Sequence, residues 1–524
     1  MEDFNLYYTP TKVSAKLSFN ESLREKNPRI GNRPKPSYNL GLKRNYSIDY
    51  KLTESIKKVQ YSHAITSDMD EFRGYTWIAI RDLDPGIMTN STENFSTAFT
   101  PAVLEWLRPN FSYSANYSWN KPIDSSAEGA NISNGLNFSS SMNLNPTKLF
   151  ELVYKPKSAG SRGRRQPKPS QDADQEKKKS DNPILNNIYG FTKKITPVSI
   201  RYSSKLNRAG LGVLGETPMG YKFGWLPVHG QEQSRDVGTN TGDWNYSQDI
   251  SFGSGLKITK TISTTLNYSQ QVSSKIGGAG GENRNLKRDV FTSGEFMENS
   301  FPFPRWSLRW NGLQKFPILK KFTQSVSVEH GFSGSESRNW RMETKIPEKL
   351  SLFDLESFIA EYGAEEQSSK LSANFSPLLS VNMKLKKGIT LNSRLNYGKT
   401  MDRQQNGQTY KVDMSLSTNA TYNHKGGMTI PLPFMEDFSI QNNVNFTFNL
   451  DYSKNETQKR NTLEDVFTKP NKISKWVAGL RISYSFTNRV TGGLVYEYRE
   501  TEHFNTGKNI DRDFGFDVKI AISG

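Results

Sequence analysis

The sequence predicts an all-β chain: a large antiparallel β-barrel of the outer-membrane type, or part of one, with about 16 to 18 strands and small helical loop insertions. Three observations predict it. Apolar and polar residues alternate with period two over most of the 524 residues. Rings are abundant, with 30 Phe, 23 Tyr and 9 Trp, although only 34% of residues are hydrophobic and the mean hydropathy is −0.70. A disordered chain is depleted in aromatics because it buries nothing, so this one must cover apolar area while keeping its other surface wet. Finally, short turns alternate with long polar loops, as they do around a membrane barrel.

Taken in order, the alternating segments begin at Val13-Ala15-Leu17-Phe19 and Tyr46-Ile48-Tyr50-Leu52. The clearest early one is Asn110 to Asn120, where Phe111, Tyr113, Ala115, Tyr117 and Trp119 share one face and Ser or Asn fills the other. Similar runs follow at Leu136-Phe138, Ile250-Phe252, Ile262 to Tyr268 and Val326-Val328, and from Val381 onward they become nearly continuous, ending with Phe514-Phe516-Val518-Ile520-Ile522. Each is about 9 to 15 residues long, the length of a tilted membrane strand. Turns such as Lys386-Lys387-Gly388 and Thr487-Asn488-Arg489 are short, whereas 333–369 and 453–472 read as long loops. On this pattern the polar faces line a wet lumen and the rings face lipid or an interface girdle.

The expected organisation is barrel strands over 1–145, an insertion over 146–196, and further strands with long polar loops over 197–524. In the insertion, 148–153 and 184–189 suit short helices flanking a disordered basic linker, 158–182, which carries Arg162, Arg164, Arg165, Lys177, Lys178 and Lys179 among Pro and Gln. A further helical candidate is 355–362.

Composition excludes several functions. The absence of Cys removes disulfides, thiolate metal sites and cysteine nucleophiles. Among the sequence windows no run of 18 apolar residues exists, so no transmembrane helix is expected. Met1-Glu2-Asp3-Phe4-Asn5 lacks the basic start and apolar core of a signal peptide, and the expectation is an N-terminally incomplete fragment. His63, His229, His330, His424 and His503 are scattered without metal-ligand spacing, and His330 reads as a strand-end residue. Gly210-Leu211-Gly212-Val213-Leu214-Gly215 matches G-x-G-x-x-G, but Pro218 and Gly220 follow where a dinucleotide site needs a helix, so it reads as a loop. No enzyme activity, cofactor, metal or catalytic residue is expected. Nine Asn-aromatic-Ser/Thr triplets, from Asn45 to Asn445, follow from the alternation itself. The net charge of +17 is dispersed, which suits rims and lumen meeting lipid headgroups or cargo rather than nucleic acid, and no nucleic-acid partner is expected.

Particular residues carry a family resemblance. Pro304, Trp306, Trp310, Gly312 and Leu313, followed by a strand ending in His330-Gly331-Phe332, resemble the SprA family, as do Ser376-Pro377-Leu378, the opening Leu6-Tyr7-Tyr8-Thr9-Pro10 and Gly220 to Trp225. SprA proteins are outer-membrane translocons of type 9 secretion, needed for gliding motility in some bacteria. The resemblance spans most of this chain and corresponds to the C-terminal portion of the family's longer polypeptide. It implies part of a very large barrel in the outer membrane of a Gram-negative bacterium, passing folded proteins to the cell surface. The partners implied are membrane lipid, secreted protein cargo, a smaller partner barrel and a periplasmic plug. The chain departs from the usual barrel ending, since Ala521-Ile522-Ser523-Gly524 has no terminal aromatic. Expressed alone, such a fragment is expected to aggregate or to close in the wrong register. Two other readings are a porin-like or TonB-dependent-type outer-membrane barrel and a soluble cell-surface β-repeat adhesin.

Overall fold

A computed structural model describes residues 5–520, apart from 26–36, 73–74, 83, 122–127, 155–181, 236–241, 278–280, 343–364, 427, 431–437, 441, 463–464 and 487–489. Branched and aromatic side chains at alternate positions favour extended backbone, because they pack on a pleated surface while the Ser, Asn and Thr between them stay hydrated. The first half of the sheet is β1 (Pro10–Arg24), β2 (Ser37–Tyr50), β3 (Lys58–Asp68), β4 (Ile87–Phe99), β5 (Asn110–Asn120), β6 (Ala130–Leu144), β7 (Val198–Val213), β8 (Trp244–Lys257) and β9 (Ile262–Ile276). Each of these pairs antiparallel with the next.

The meander is interrupted after β9. Strand β10 (Glu282–Ser293) pairs with 270–276 of β9, and β12 (Arg305–Asn311) pairs with 262–267 of the same strand; between them lies β11 (Asn299–Pro302). The next strand, β13 (Thr323–Met342), is shared the same way, by β10 at 335–342 and by β12 at 327–332. Two segments therefore fill one strand position end to end. The chain between them leaves the wall as a hairpin in which 290–293 pairs with β11.

Regular pairing resumes through β14 (Glu365–Leu385), β15 (Ile389–Gln404) and β16 (Gly407–His424). A separate ribbon, β17 (Met428–Ile430) with β18 (Phe438–Ile440), follows, and then β19 (Val444–Arg460) pairs with β16. Three more wall strands, β20 (Asn471–Ser485), β21 (Val490–His503) and β22 (Gly507–Ile520), complete the sheet. Among the described residues it holds 20 strands. With β11 outside the wall and β10 sharing a position with β12, these fill eighteen positions, the upper end of the expected range. Among the described residues β1 pairs with β2 alone and β22 with β21 alone, so the sheet has two edges.

Among the described residues, five short α-helices sit in the connections: α1 (Thr76–Arg81), α2 (Pro146–Glu151), α3 (Pro183–Thr192), α4 (Met219–Lys222) and α5 (Pro317–Lys320). Helices α2 and α3 fall where the sequence predicts, and for a legible reason. Asn145 Oδ1 accepts from the amides of Thr147 (3.1 Å) and Lys148 (3.2 Å), Asn182 Oδ1 accepts from the Ile184 amide (2.9 Å), and each cap is followed by a proline whose fixed φ suits a first helical turn. The linker 158–182, except Asn182, and the helical candidate 355–362 lie outside the described residues.

Several expectations need correction. Strands are longer than expected, reaching 21 residues in β14. Consequently β13 continues to Met342 and β14 starts at Glu365, so 333–342 and 365–369 of the expected loop are strand and the rest of it lies outside the described residues; likewise β19 runs to Arg460 and β20 starts at Asn471. His330 lies in mid-strand rather than at a strand end. In the G-x-G-x-x-G segment, Gly210 to Val213 close β7 instead of forming a loop. Each connection can be assigned to a rim from the pairing. The near rim carries 51–57, 100–109, 145–197, 258–261, 312–322, 386–388, 425–443 and 486–489, and the far rim carries the alternate connections, including 214–243. Length does not separate the two rims cleanly, because 145–197 shares the near rim with the three-residue turn 386–388.

Candidate functional site

The wall is two-faced along its whole length. Cross-strand register places Ala420, Phe448, Leu480, Tyr496 and Phe514 in one row and Tyr422, Phe446, Ile482, Leu494 and Phe516 in the next. Many of these rings are open to solvent, with Phe514 72% exposed and Phe448, inside the sheet, 41%. On β20 the apolar face runs from Trp476 to Tyr484, eight residue steps. At about 3.3 Å per residue this is roughly 26 Å along the strand, or about 20 Å of height at the 35–45° tilt of membrane-barrel strands, most of the ~25 Å apolar band of such barrels. The opposite face is polar, and its side chains bond to each other across strands: Ser112 with Ser139 (2.6 Å), Ser335 with Ser372 (2.7 Å) and Asn419 with Asn449 (2.6 Å). The Asn-aromatic-Ser/Thr triplets thus have their ring on one face and Asn and Ser on the other.

Towards the far rim the ring-bearing face changes character. Glu93, Arg208, Gln248 and Glu336 occupy its positions there, all buried. Burial has a direct cause: two segments fold over this face. The expectation that the rings face lipid or an interface girdle is corrected here for Tyr113 and Tyr117, which lie beneath protein.

The first segment is a strap, 214–235, between β7 and β8. Pro218 starts α4, and Gly224, at φ 83°, turns the chain back at a conformation that a side chain disfavours. Tyr113 donates to the Phe223 carbonyl (2.5 Å), Tyr117 bonds to Thr217 Oγ1 (2.8 Å), and Asn134 Nδ2 donates to the Lys222 carbonyl (2.8 Å). Lys222 forms an ion pair with Glu93, which also accepts from Tyr61 (2.8 Å). Arg208 is the central fastener. Its guanidinium donates to the carbonyls of Leu226 (3.0 Å), Pro227 (2.5 Å) and Tyr221 (3.3 Å) and to Asn134 Oδ1 (2.5 Å), and it lies over the Tyr221 ring at 4.2 Å. Within the strap, Nδ1 of His229 accepts from the Gln231 amide (3.1 Å). Burial and the nearby Arg208 charge hold the His229 pKa below its usual range.

The second segment is the hairpin 290–304. It docks through Ser300, which donates to Glu336 (3.1 Å), a carboxylate already bound by Arg288 (2.6 Å) and Arg338 (2.8 Å). Where β10 leaves the wall and β12 enters it, Asp289 accepts from the Ser269 amide (2.7 Å) and from Arg305 Nε (3.1 Å), tying the two ends together. Phe291 of the hairpin lies 5.3 Å from Phe332, and Phe296 stacks on Phe467 at 4.4 Å.

Most of the family-like residues converge below this hairpin. Trp306 stacks on Phe332 at 4.4 Å and lies 6.4 Å from the ring of His330, whose Nδ1 bonds to the Leu378 carbonyl (2.7 Å). Ser376, Pro377 and Leu378 form a bulge in β14 opposite Gly331, where a Cβ would meet the Ser376 carbonyl at 3.3 Å. Pro304 leads into β12. Trp310 belongs to the same strand but faces the near rim, edge-on to Phe316 at 6.0 Å, and Gly312 (φ 82°) with Leu313 makes the turn into α5. The motif therefore builds one bulged aromatic node and one rim corner.

Among the described residues no group of three or more His, Asp or Glu could hold a metal ion. Sequence reasoning missed Glu93, Arg208, Asp289 and Glu336. The one signal available was a charge standing at a ring-face position in an alternating strand, as Glu93 does two residues before Phe95.

No protein-family model matches the chain, and no curated protein is similar to it. Among solved structures, the chain is similar to the siderophore receptor PirA from Pseudomonas aeruginosa at 9% identity and a TM-score of 0.25, over 98% of this chain and 81% of that one. At that score the likeness carries no argument, and the reading of the wall rests on its own geometry.

Proposed function

We propose that the chain is a wall segment of an outer-membrane protein-conducting channel resembling the SprA translocon, passing folded proteins to the surface of a Gram-negative cell. The observation that supports it is an eighteen-position wall, apolar on one face and polar on the other, with two edges unpaired among the described residues. Each backbone group left unpaired in hydrocarbon costs several kcal/mol, so such edges must be met by other strands. Lumen width grows with strand number, and a wall continued at both edges encloses a passage wider than a porin. No catalytic residue is needed, because the polar face only has to stay hydrated and non-adhesive. Secreted cargo, a smaller partner barrel and a periplasmic plug come to this reading from the family resemblance.

A porin-like or TonB-dependent-type barrel is the second reading, and one observation favours it. β1 and β22 run in opposite directions and the number of positions is even, so antiparallel closure is allowed. Cysteine pairs separate the two. Ser14→Cys combined in turn with Asp513→Cys, Gly515→Cys or Asp517→Cys bridges β1 to β22 only in a self-closed ring. The translocon reading expects no intramolecular bridge in any pair; a bridge, together with a pore that excludes folded proteins, supports the porin.

A further inference from the structure

The two rims carry opposite charge. Among the described residues of the near-rim connections there are thirteen Lys or Arg against three Glu, a difference of ten positive charges. On the far rim, counting 25, 69–86, 121–129, 214–243, 461–470 and the uncharged turns, there are five Lys or Arg against ten Asp or Glu. Dispersed charge along the sequence is thus sorted by the fold, because odd and even connections fall on different rims.

Both rims expose large apolar side chains, Trp77, Trp225 and Val466 among them on the far rim, so charge is what separates the rims, and only on the near rim do exposed apolar residues sit among an excess of lysines. In the corner between β12 and β13, Phe316 is 49% and Ile318 76% exposed, beside Lys315, Lys320 and Lys321. On the pair α2–α3, Ile184 is 68% and Phe191 52% exposed, next to Lys193 and Lys194. Lys386 and Lys387 form the tip of the three-residue turn between β14 and β15. Exposed rings and aliphatics flanked by lysines, at the level where the apolar band ends, match an interface in which one side is hydrocarbon and the other is phosphate.

We propose that the near rim is a docking ring for the anionic headgroups of a phospholipid leaflet, with Phe316 and Ile318 seated at the headgroup boundary and Lys315, Lys320, Lys321, Lys386 and Lys387 pairing with lipid phosphates. The proposal rests on the reading of the wall as membrane-embedded. It orients the wall, putting the basic rim in the phospholipid leaflet and the acidic rim, with its strap, in water on the other side.

The chain has no Cys, so a single engineered one is unique. Ile318→Cys on the near rim and Asn406→Cys on the far rim are labelled with an environment-sensitive dye, and the full chain is reconstituted into phosphatidylcholine vesicles with and without phosphatidylglycerol. The expected result is quenching of the Ile318→Cys dye by headgroup-labelled lipid, stronger with phosphatidylglycerol and reversed by salt, while the Asn406→Cys dye is unmoved. Replacing the five lysines by Gln, with strand content by circular dichroism unchanged, should reduce the preference for anionic vesicles by about tenfold or more. Entry into both vesicle types with no anionic preference overturns the docking ring and leaves the membrane reading standing. Failure to enter either type overturns both. Protection of the Ile318→Cys dye by soluble polyglutamate but not by phosphatidylglycerol overturns the lipid assignment in favour of an acidic protein partner.

Discussion

Arg208 holds a cation in a buried place without a carboxylate. It is 2% exposed, and its charge is met by three carbonyl dipoles and an amide oxygen rather than by an ion partner. The flat, forked guanidinium suits this, since it presents several donors in fixed directions. Arg208→Ala leaves those acceptors unpaired beneath the strap and should cost about 2–4 kcal/mol locally. Hydrogen exchange of amides 214–235 reads the loss, and Arg208→Lys, a point charge without the fork, should recover only part of the protection. A second consequence concerns His229. Its folded-state pKa is lowered, so the folded strap prefers the neutral ring, and no stability is at stake above the ordinary value of about 6.5. As pH falls through that value the released strap takes up the proton first, and the closed strap loses stability. Protease nicking within 214–235 should therefore rise between pH 7 and pH 5, and His229→Gln should flatten that rise.

At the scale of the element, the shared position of β10 and β12 depends on Gly334. A Cβ there would lie 1.9 Å from the Val290 carbonyl, at the point where the hairpin leaves the wall. At Gly331, three residues earlier, the nearest atom is the Ser376 carbonyl at 3.3 Å, which a small shift relieves. Gly334→Ala is expected to destabilise the junction by about 2 kcal/mol or more, and Gly331→Ala by less than about 1 kcal/mol. Urea midpoints of the two variants in detergent test the order, and equal midpoints would dismiss this account of the junction. The contrast also marks what the sequence could disclose. Strand existence and face were legible, because alternation is a local property of residues such as Phe111 to Trp119. The split position was not, since Phe291, Phe301 and Phe303 alternate like any wall strand and only long-range pairing shows that they leave the sheet. The strap was hidden for the same reason: Arg208 breaks the apolar face of β7, but nothing within a few residues says that carbonyls at 221, 226 and 227 will return to it. Strand ends such as Met342 and Arg460 were misplaced because polar residues on both faces erase alternation above the apolar band.

For the whole molecule, surface and edges decide behaviour. The accessible surface is 35434 Å², against roughly 19,000 Å² for a compact globular chain of this mass, which is what a one-layer wall implies. A soluble adhesin would have to leave the rows from Ala420 to Phe516 uncovered, with Phe514 and Phe516 mostly exposed, whereas monomers rarely expose contiguous apolar patches beyond a few hundred Å². Lipid or detergent can cover that face, but neither can pair the outer backbone groups of β1 and β22. Both edge strands are exposed almost throughout, and neither carries a proline beyond Pro10 at the start of β1 or a register shift beyond the one there. They are therefore templates for further strands. In detergent the isolated chain should associate edge to edge, giving a mass by light scattering that rises with concentration. Proline placed between Ser14 and Asn20 of β1, or between Asp511 and Asp517 of β22, removes donors from one edge and should hold the chain at smaller assemblies, while proline in both should leave monomers. Coupling to a strand peptide of matched alternation should have the same effect by filling the edge instead of spoiling it. A monodisperse, heat-modifiable monomer at all concentrations would mean that β1 and β22 pair with each other, and the wall would then be a closed ring of eighteen positions rather than part of a wider one.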